Sequence, residues 1–250
     1  MSIDLAVVGG TGLYRFPGLE DIERHHVDTP YGKPSGDIVV GTVGTRRVAF
    51  MARHGETHSI APHRINYRAN VWSLHRLGAK RIVGVNAVGG IREDMGPRVI
   101  AIPDQIIDYT SGRLTSFCDV DDAEVKHIDF SEPYSASLRV ALIAAAASAG
   151  VAVVDGGCYG ATQGPRLETR AEIARMRRDG CDLVGMTGMP EASLARELEC
   201  EYVCLALVAN WAAGCDPTHA PEISLPEIFA HLEAATAEVP KIVGALLAHT

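Results

Sequence analysis

Short runs rich in β-branched residues alternate along this chain with longer segments whose apolar positions recur every three or four residues. The first pattern suits strands buried in a sheet, at residues 5–8, 38–43, 48–51, 81–86, 99–107, 151–159, 183–186 and 202–208. The second suits helices with one apolar face, at 64–77, 135–149, 168–178, 190–198 and 225–247. Several of these helices have Ser, Thr or Pro at the start and Gly just past the end. The alternation predicts an α/β fold, a sheet flanked by helices. No linker-like tract divides the chain, so a single domain over residues 1–250 is expected. The stretch 108–134, polar and bearing "DVDDAE", is the one long irregular segment, and loops of that length inside a compact domain are usually functional or interfacial.

Composition narrows the partners. An apolar content of 47% over 250 residues is enough to bury one sizeable core. The net charge is -8, with 31 acidic against 23 basic side chains and no run of Lys or Arg. No nucleic-acid partner and no membrane partner is therefore expected, and a small ligand is favoured. The opening residues form a short strand and a turn without a basic and apolar leader, which reads as soluble and cytoplasmic. Six cysteines carry no CxxC spacing, so they read as mostly buried thiols, with no metal site expected.

The candidate chemistry lies where strands end. "VVGGTGLY" at 7–14 takes a strand into a glycine-rich turn whose backbone N–H groups and Thr11 hydroxyl could hold an anion, although a plain turn fits too. It lacks the full dinucleotide fingerprint and the Lys of a nucleotide P-loop. "MARHGETHS" at 51–59 sets Arg53 beside His54 at a strand end: a bidentate phosphate partner and one further donor, or a surface pair capping a loop. "VGVNAVGGIRED" from residue 83 repeats the pattern with Asn86, Ala87 and glycines that admit a ligand to the backbone. Ligands of open α/β sheets bind at the carboxyl ends of strands, so three such ends carry more weight than any one.

Taken with "GPRLET", "GMTGMPE", "DTPYGKPS" and "VANWAAG", these segments run in the order of the nucleoside phosphorylases, and the chain resembles the trimeric branch of purine nucleoside and methylthioadenosine phosphorylases along essentially its whole length. The resemblance implies the nucleoside phosphorylase fold, a single-domain mixed central β-sheet flanked by helices. It implies a homotrimer acting on a purine nucleoside and inorganic phosphate, with phosphate as co-substrate and no cofactor. By matching position, Thr11, Arg53, His54, Asn86, Ala87 and Thr187 look like the phosphate cradle, and Met186 like the residue lying against the ribose, although plain core packing is open for Met186. Phosphate attacks the anomeric carbon through an oxocarbenium-like transition state, so anion donors are needed on one side and a base-stabilising group on the other.

The base end matches the 6-oxopurine pattern. Methylthioadenosine phosphorylases carry acids where this chain has Asn210 and Ala212. An Asn amide can donate to a 6-oxo group while its carbonyl accepts a proton at N7. Glu168, beside Leu167, sits where 6-oxopurine phosphorylases present a carboxylate to N1–H, or else merely serves the first turn of the next helix. His54, Glu168 and Asn210 are thus the candidate catalytic set. At the 5′ end, "EISLPEIFAHL" puts Leu225 where phosphorylases of ordinary nucleosides have a histidine, followed by Ile228 and Phe229. These suit a methylthio group, or are simply the inner face of the last helix. His219 or His231 could restore a hydroxyl partner. His127, in the irregular segment, matches a residue that the methylthio branch lends across the subunit interface. A 6-oxopurine end with a methylthio end describes S-methyl-5′-thioinosine. The rivals within the class are an inosine and guanosine phosphorylase and a methylthioadenosine phosphorylase. From other classes, a nucleotide-binding dehydrogenase and a catalytically silent nucleoside binder stay open.

Overall fold

A computed structural model describes residues 2–118, 124–218 and 224–248. The sheet begins with β1 (Leu5–Gly9), β2 (Glu20–His25), β3 (Ile38–Val43) and β4 (Arg46–Ala52). After a short 3₁₀ turn come α1 (Tyr67–Arg76), β5 (Arg81–Gly90), β6 (Ile100–Ile102) and β7 (Gln105–Asp108). Then follow α2 (Ala136–Ser148), β8 (Val154–Asp155), β9 (Cys158–Ala161), α3 (Arg170–Arg178) and β10 (Leu183–Gly185). The chain closes with α4 (Glu191–Glu197), β11 (Glu201–Trp211), α5 (Leu225–Thr236) and α6 (Val239–Ala248).

The strands run β2-β3-β4-β1-β5-β10-β9-β7, with β11 joined to β5 and continued by β6 and β8. Pairing is mixed, as expected: β5 is parallel to β1 and β11 but antiparallel to β10. Successive side chains of the central strands enter opposite cores. Ala6, Val8, Ile82, Cys204 and Ala206 pack on one face with α1 and α4 residues such as Leu74 and Leu194. Leu5, Val7, Val83, Leu205 and Leu207 pack on the other with Leu138, Leu232 and Val243 of α2, α5 and α6. Burial on both faces explains why these strands read as continuous apolar runs.

Four boundaries differ from expectation. The strand expected at 99–107 divides into β6 and β7 at Pro103, which has no N–H for a ladder. The two pieces then pair differently, β6 with β11 and β7 with β9. The strand expected at 151–159 breaks at Gly156 and Gly157, whose φ values of 86° and 119° turn the chain between β8 and β9. The helix expected at 225–247 breaks after its C-cap Ala237, next to Pro240 in the first turn of α6. Finally β2, with the sequence EDIERH, is an unexpected edge strand on β3, nearly all of it exposed. The irregular segment keeps its character: beyond β7 it contains no helix or strand among its described residues. No helix of the described residues is long and apolar enough to cross a membrane.

Candidate active site

A cavity of about 470 Å³ opens where β1, β4, β5, β10 and β11 end, and α5 forms one of its walls. The loop after β1 contributes Gly10 and Thr11. A Cβ on Gly10 would meet the Val85 carbonyl oxygen at 2.6 Å and Arg53 Nη1 at 3.2 Å, so only glycine lets this loop lie so close to β5. The loop after β4 contributes His54, and the turn after β10 contributes Met186 and Thr187. Tyr159, wholly buried, accepts from the Thr187 and Gly188 amides and fixes that turn.

Asn86 is wholly buried below the cavity and donates from Nδ2 to Thr187 Oγ1 at 2.8 Å. Because the Thr187 oxygen is thereby occupied as an acceptor, its own proton is left to donate. His54 Nδ1 lies 2.8 Å from the Ile60 carbonyl oxygen. A carbonyl only accepts, so Nδ1 carries the proton and Nε2 of the neutral ring carries the lone pair. Burial is the main cause pushing His54 down to about 4; the Ile60 carbonyl resists this shift, and the charges of Arg53 and His58 add to it.

Arg53 departs from expectation. Its guanidinium is wholly buried and turned from the cavity, with Nε and Nη2 each 2.7 Å from a Glu191 oxygen and Nη1 2.8 Å from the Val85 carbonyl oxygen. Burial opposes its charge, and Glu191 outweighs burial, so it remains a cation. Four of its five N–H groups are spent on the framework beneath the glycine turn, so the bidentate fork faces Glu191 instead of the cavity. Among the described residues the cavity wall holds no Lys or Arg; its donors are Thr and Ser hydroxyls, the Asn210 amide, backbone amides and imidazoles.

At the end of β11 the pairing with β5 slips, Val208 facing Val88 and Asn210 facing Gly89. The resulting bulge at Ala209 brings Asn210 into the cavity wall beside Ala212. Asn210 Nδ2 donates to the Trp211 carbonyl oxygen at 2.6 Å, which leaves one N–H and the amide oxygen for other partners. Glu168 also lines the cavity, and it lies outside α3: Thr169 is the N-cap, and Glu172 completes the capping box. The alternative of Glu168 as a first-turn acid therefore fails. Its Oε1 instead accepts from the Thr162 hydroxyl at 2.6 Å.

The sequence profile of the Phosphorylase superfamily matches residues 4–248. The chain belongs to this superfamily. A protein of Xanthomonas campestris named probable S-methyl-5′-thioinosine phosphorylase is 59% identical over 245 residues, 98% of this chain and 97% of that protein. A 6-oxopurine nucleoside phosphorylase of Pyrococcus furiosus is 49% identical over 215 residues, 84% of this chain and 80% of that protein. The structure of methylthioadenosine phosphorylase from Schistosoma mansoni in complex with adenine superposes with a TM-score of 0.93 at 29% identity, covering 99% of this chain and 92% of that one.

In this phosphorylase the single cavity gathers Thr11, His54, Ala87, Thr187, Leu167, Glu168, Met186, Asn210, Ala212, Leu225, Ile228 and Phe229. Leu225, Ile228, Phe229 and Leu232 form one face of α5, at spacings of three and four. Leu225 and Phe229 are 60% and 57% exposed, so they form an open rim within one chain instead of a closed pocket. His127 is exposed and lies in a separate hollow with Phe117 and Lys126, so one chain alone does not bring it to the cavity. His231 is outside the lining and donates from Nδ1 to the bulged Ala209 carbonyl oxygen at 2.9 Å. His219 lies outside the described residues.

Sequence reasoning missed His58, which lines the cavity, stacks on His54 with ring centroids 4.8 Å apart and meets the Tyr14 hydroxyl at 2.9 Å from Nδ1. Its φ of 54° is unusual for a residue other than glycine. The second histidine of "RHGETH" was the available signal. Nothing in its spacing says that the loop folds back upon His54.

Proposed function

We propose that this chain catalyses phosphorolysis of S-methyl-5′-thioinosine to hypoxanthine and 5-methylthioribose 1-phosphate. One observation carries the reading: a single cavity presents Glu168 and Asn210, which suit a 6-oxopurine, together with an apolar α5 face that offers a 5′-hydroxyl no polar side chain. The name of the Xanthomonas relative, probable S-methyl-5′-thioinosine phosphorylase, agrees with this combination.

In this reading Thr11, Thr187 and backbone amides hold phosphate, and the His54 Nε2 lone pair accepts a hydrogen bond from its hydroxyl. A phosphate oxygen forms the new bond to the anomeric carbon as the bond to N9 breaks and its electron pair passes to the base. The departing base takes up a proton at N7 from solvent, matching the one the phosphate releases; the Asn210 oxygen accepts a hydrogen bond from that N7–H, its free N–H meets O6, and Glu168 accepts a hydrogen bond from N1–H. No step asks for a metal, and no group of metal-ligating side chains occurs among the described residues. The assembly consistent with this reading is a homotrimer in which His127 reaches a neighbouring subunit's 5′ pocket.

Incubation with methylthioinosine, with and without phosphate, and with product identification by phosphorus NMR, tests the proposal. The expected result is hypoxanthine release that requires phosphate and yields a sugar 1-phosphate. Release of base at the same rate without phosphate would refute it.

A further inference from the structure

Glu168 stands on the wall between two hollows. One is the substrate cavity; the other, of about 390 Å³, is lined by Tyr109, Arg166, Glu172 and Arg175 as well as by Glu168 itself. The second hollow offers a carboxylate two guanidinium groups, Arg166, paired with Glu172 at 2.7 Å, and Arg175, more loosely paired with Asp179 at 3.5 Å. A glutamate side chain with free rotamers would be drawn to that side, away from the base.

The backbone of Thr162 is held from two directions. Its N–H donates to the Gly185 carbonyl oxygen at 2.8 Å, and its own carbonyl accepts from Arg113 Nη2 at 3.2 Å. Its hydroxyl therefore projects from a fixed point. That hydroxyl has one proton and two acceptors in reach, Glu168 Oε1 at 2.6 Å and the Gly185 carbonyl oxygen at 3.3 Å. The shorter, charge-assisted contact takes the proton. Among the described residues no donor reaches Glu168 Oε2. One carboxylate oxygen is thus tied down and the other is left to accept.

We infer that Thr162 is the positioning residue that aims Glu168 at the base, and so sets the preference for a 6-oxopurine. The inference rests on the reading of Glu168 as the acceptor for N1–H. Without the hydroxyl, the carboxylate is free to turn toward Arg166 and Arg175, and the acceptor facing the base is lost. An adenine nucleoside has no N1–H to lose, so it should not register the change.

The test compares Thr162→Val, Thr162→Ser, Glu168→Gln and the double variant Thr162→Val/Glu168→Gln, using kcat/KM for methylthioinosine and for methylthioadenosine. Thr162→Val should lower kcat/KM for methylthioinosine about tenfold, the usual worth of a hydrogen bond to a charged group. The value for methylthioadenosine should change less than about twofold, and Thr162→Ser should restore most of the loss. In the double variant the Thr162 effect should vanish, because the group it positions is gone. Thr162→Ala reads the same way should the valine variant not fold. An equal loss on both nucleosides, no loss at all, or a Thr162 effect that persists in the Glu168→Gln background overturns the inference. If Glu168→Gln alone leaves the base preference unmoved, the reading of the base site fails and the inference falls with it. If Glu168→Gln abolishes the preference while Thr162→Val does not, only the positioning role is lost.

Discussion

Arg53 and Glu191 meet through two hydrogen bonds of 2.7 Å, and neither residue is exposed to solvent. The pair joins the end of β4 to the start of α4 and also receives the Tyr202 hydroxyl, 2.8 Å from Glu191 Oε1. Breaking such a pair from one side leaves a buried charge without its partner, at a cost of about 3–5 kcal/mol. Glu191→Ala should therefore lower the urea midpoint steeply, and Arg53→Met should do the same. The double variant Arg53→Met/Glu191→Leu should recover much of the loss. An Arg53 variant of ordinary stability, impaired only in its phosphate KM, would contradict this placement.

Acid stability should report His54. The unfolded chain takes up a proton at His54 near the ordinary value of 6.5, whereas the folded chain does so near 4. The unfolded state binds more protons between these values, so stability is fully present above 6.5 and declines as pH falls toward 4. The loss attributable to His54 is on the order of 3 kcal/mol. Urea unfolding at neutral pH and at about pH 4 should show a smaller decline in His54→Asn than in the parent. Identical declines would count against it.

Asn210→Asp should reverse two contacts at once. A carboxylate cannot donate to the Trp211 carbonyl, 2.6 Å from the present amide nitrogen, and it repels a 6-oxo group. Turnover of hypoxanthine nucleosides should fall by about a hundredfold, while adenine nucleosides gain relative to them. An unchanged ratio of hypoxanthine to adenine release would show that Asn210 does not read the base.

Leu225→His should move selectivity from methylthioinosine toward inosine, because an imidazole nitrogen on that face of α5 gives the 5′-hydroxyl a partner. The ratio of the two kcat/KM values should shift by about tenfold. A ratio that stays put would place the 5′ group elsewhere.

The sheet and its strand ends were legible because buried parallel strands must be apolar, and because the glycines and polar residues that end them stand out against that background. β2 was not, since an edge strand with charged side chains exposed on both faces leaves no hydrophobic period to detect. Arg53 stands at the expected strand end, but its partner within the fold was not legible. Residue type announces that a guanidinium wants an anion, but its actual anion, Glu191, is 138 residues away in sequence. Asn210 stood out as an amide at the end of an apolar strand, whereas the bulge that turns it into the cavity depends on pairing with β5. Likewise the bond from Thr162 to Glu168 depends on a turn that only the folded chain makes.

The central claim is that one cavity selects a 6-oxopurine at one end and a methylthio group at the other. A competition assay with methylthioinosine, inosine and methylthioadenosine in one mixture at saturating phosphate measures both selections as ratios of kcat/KM. Burial of the methylthio group on the α5 face and the acceptor pattern of Glu168 and Asn210 predict that methylthioinosine is consumed first, with a preference of at least about tenfold over each rival. Equal consumption of methylthioinosine and inosine, or faster consumption of methylthioadenosine, would contradict the account.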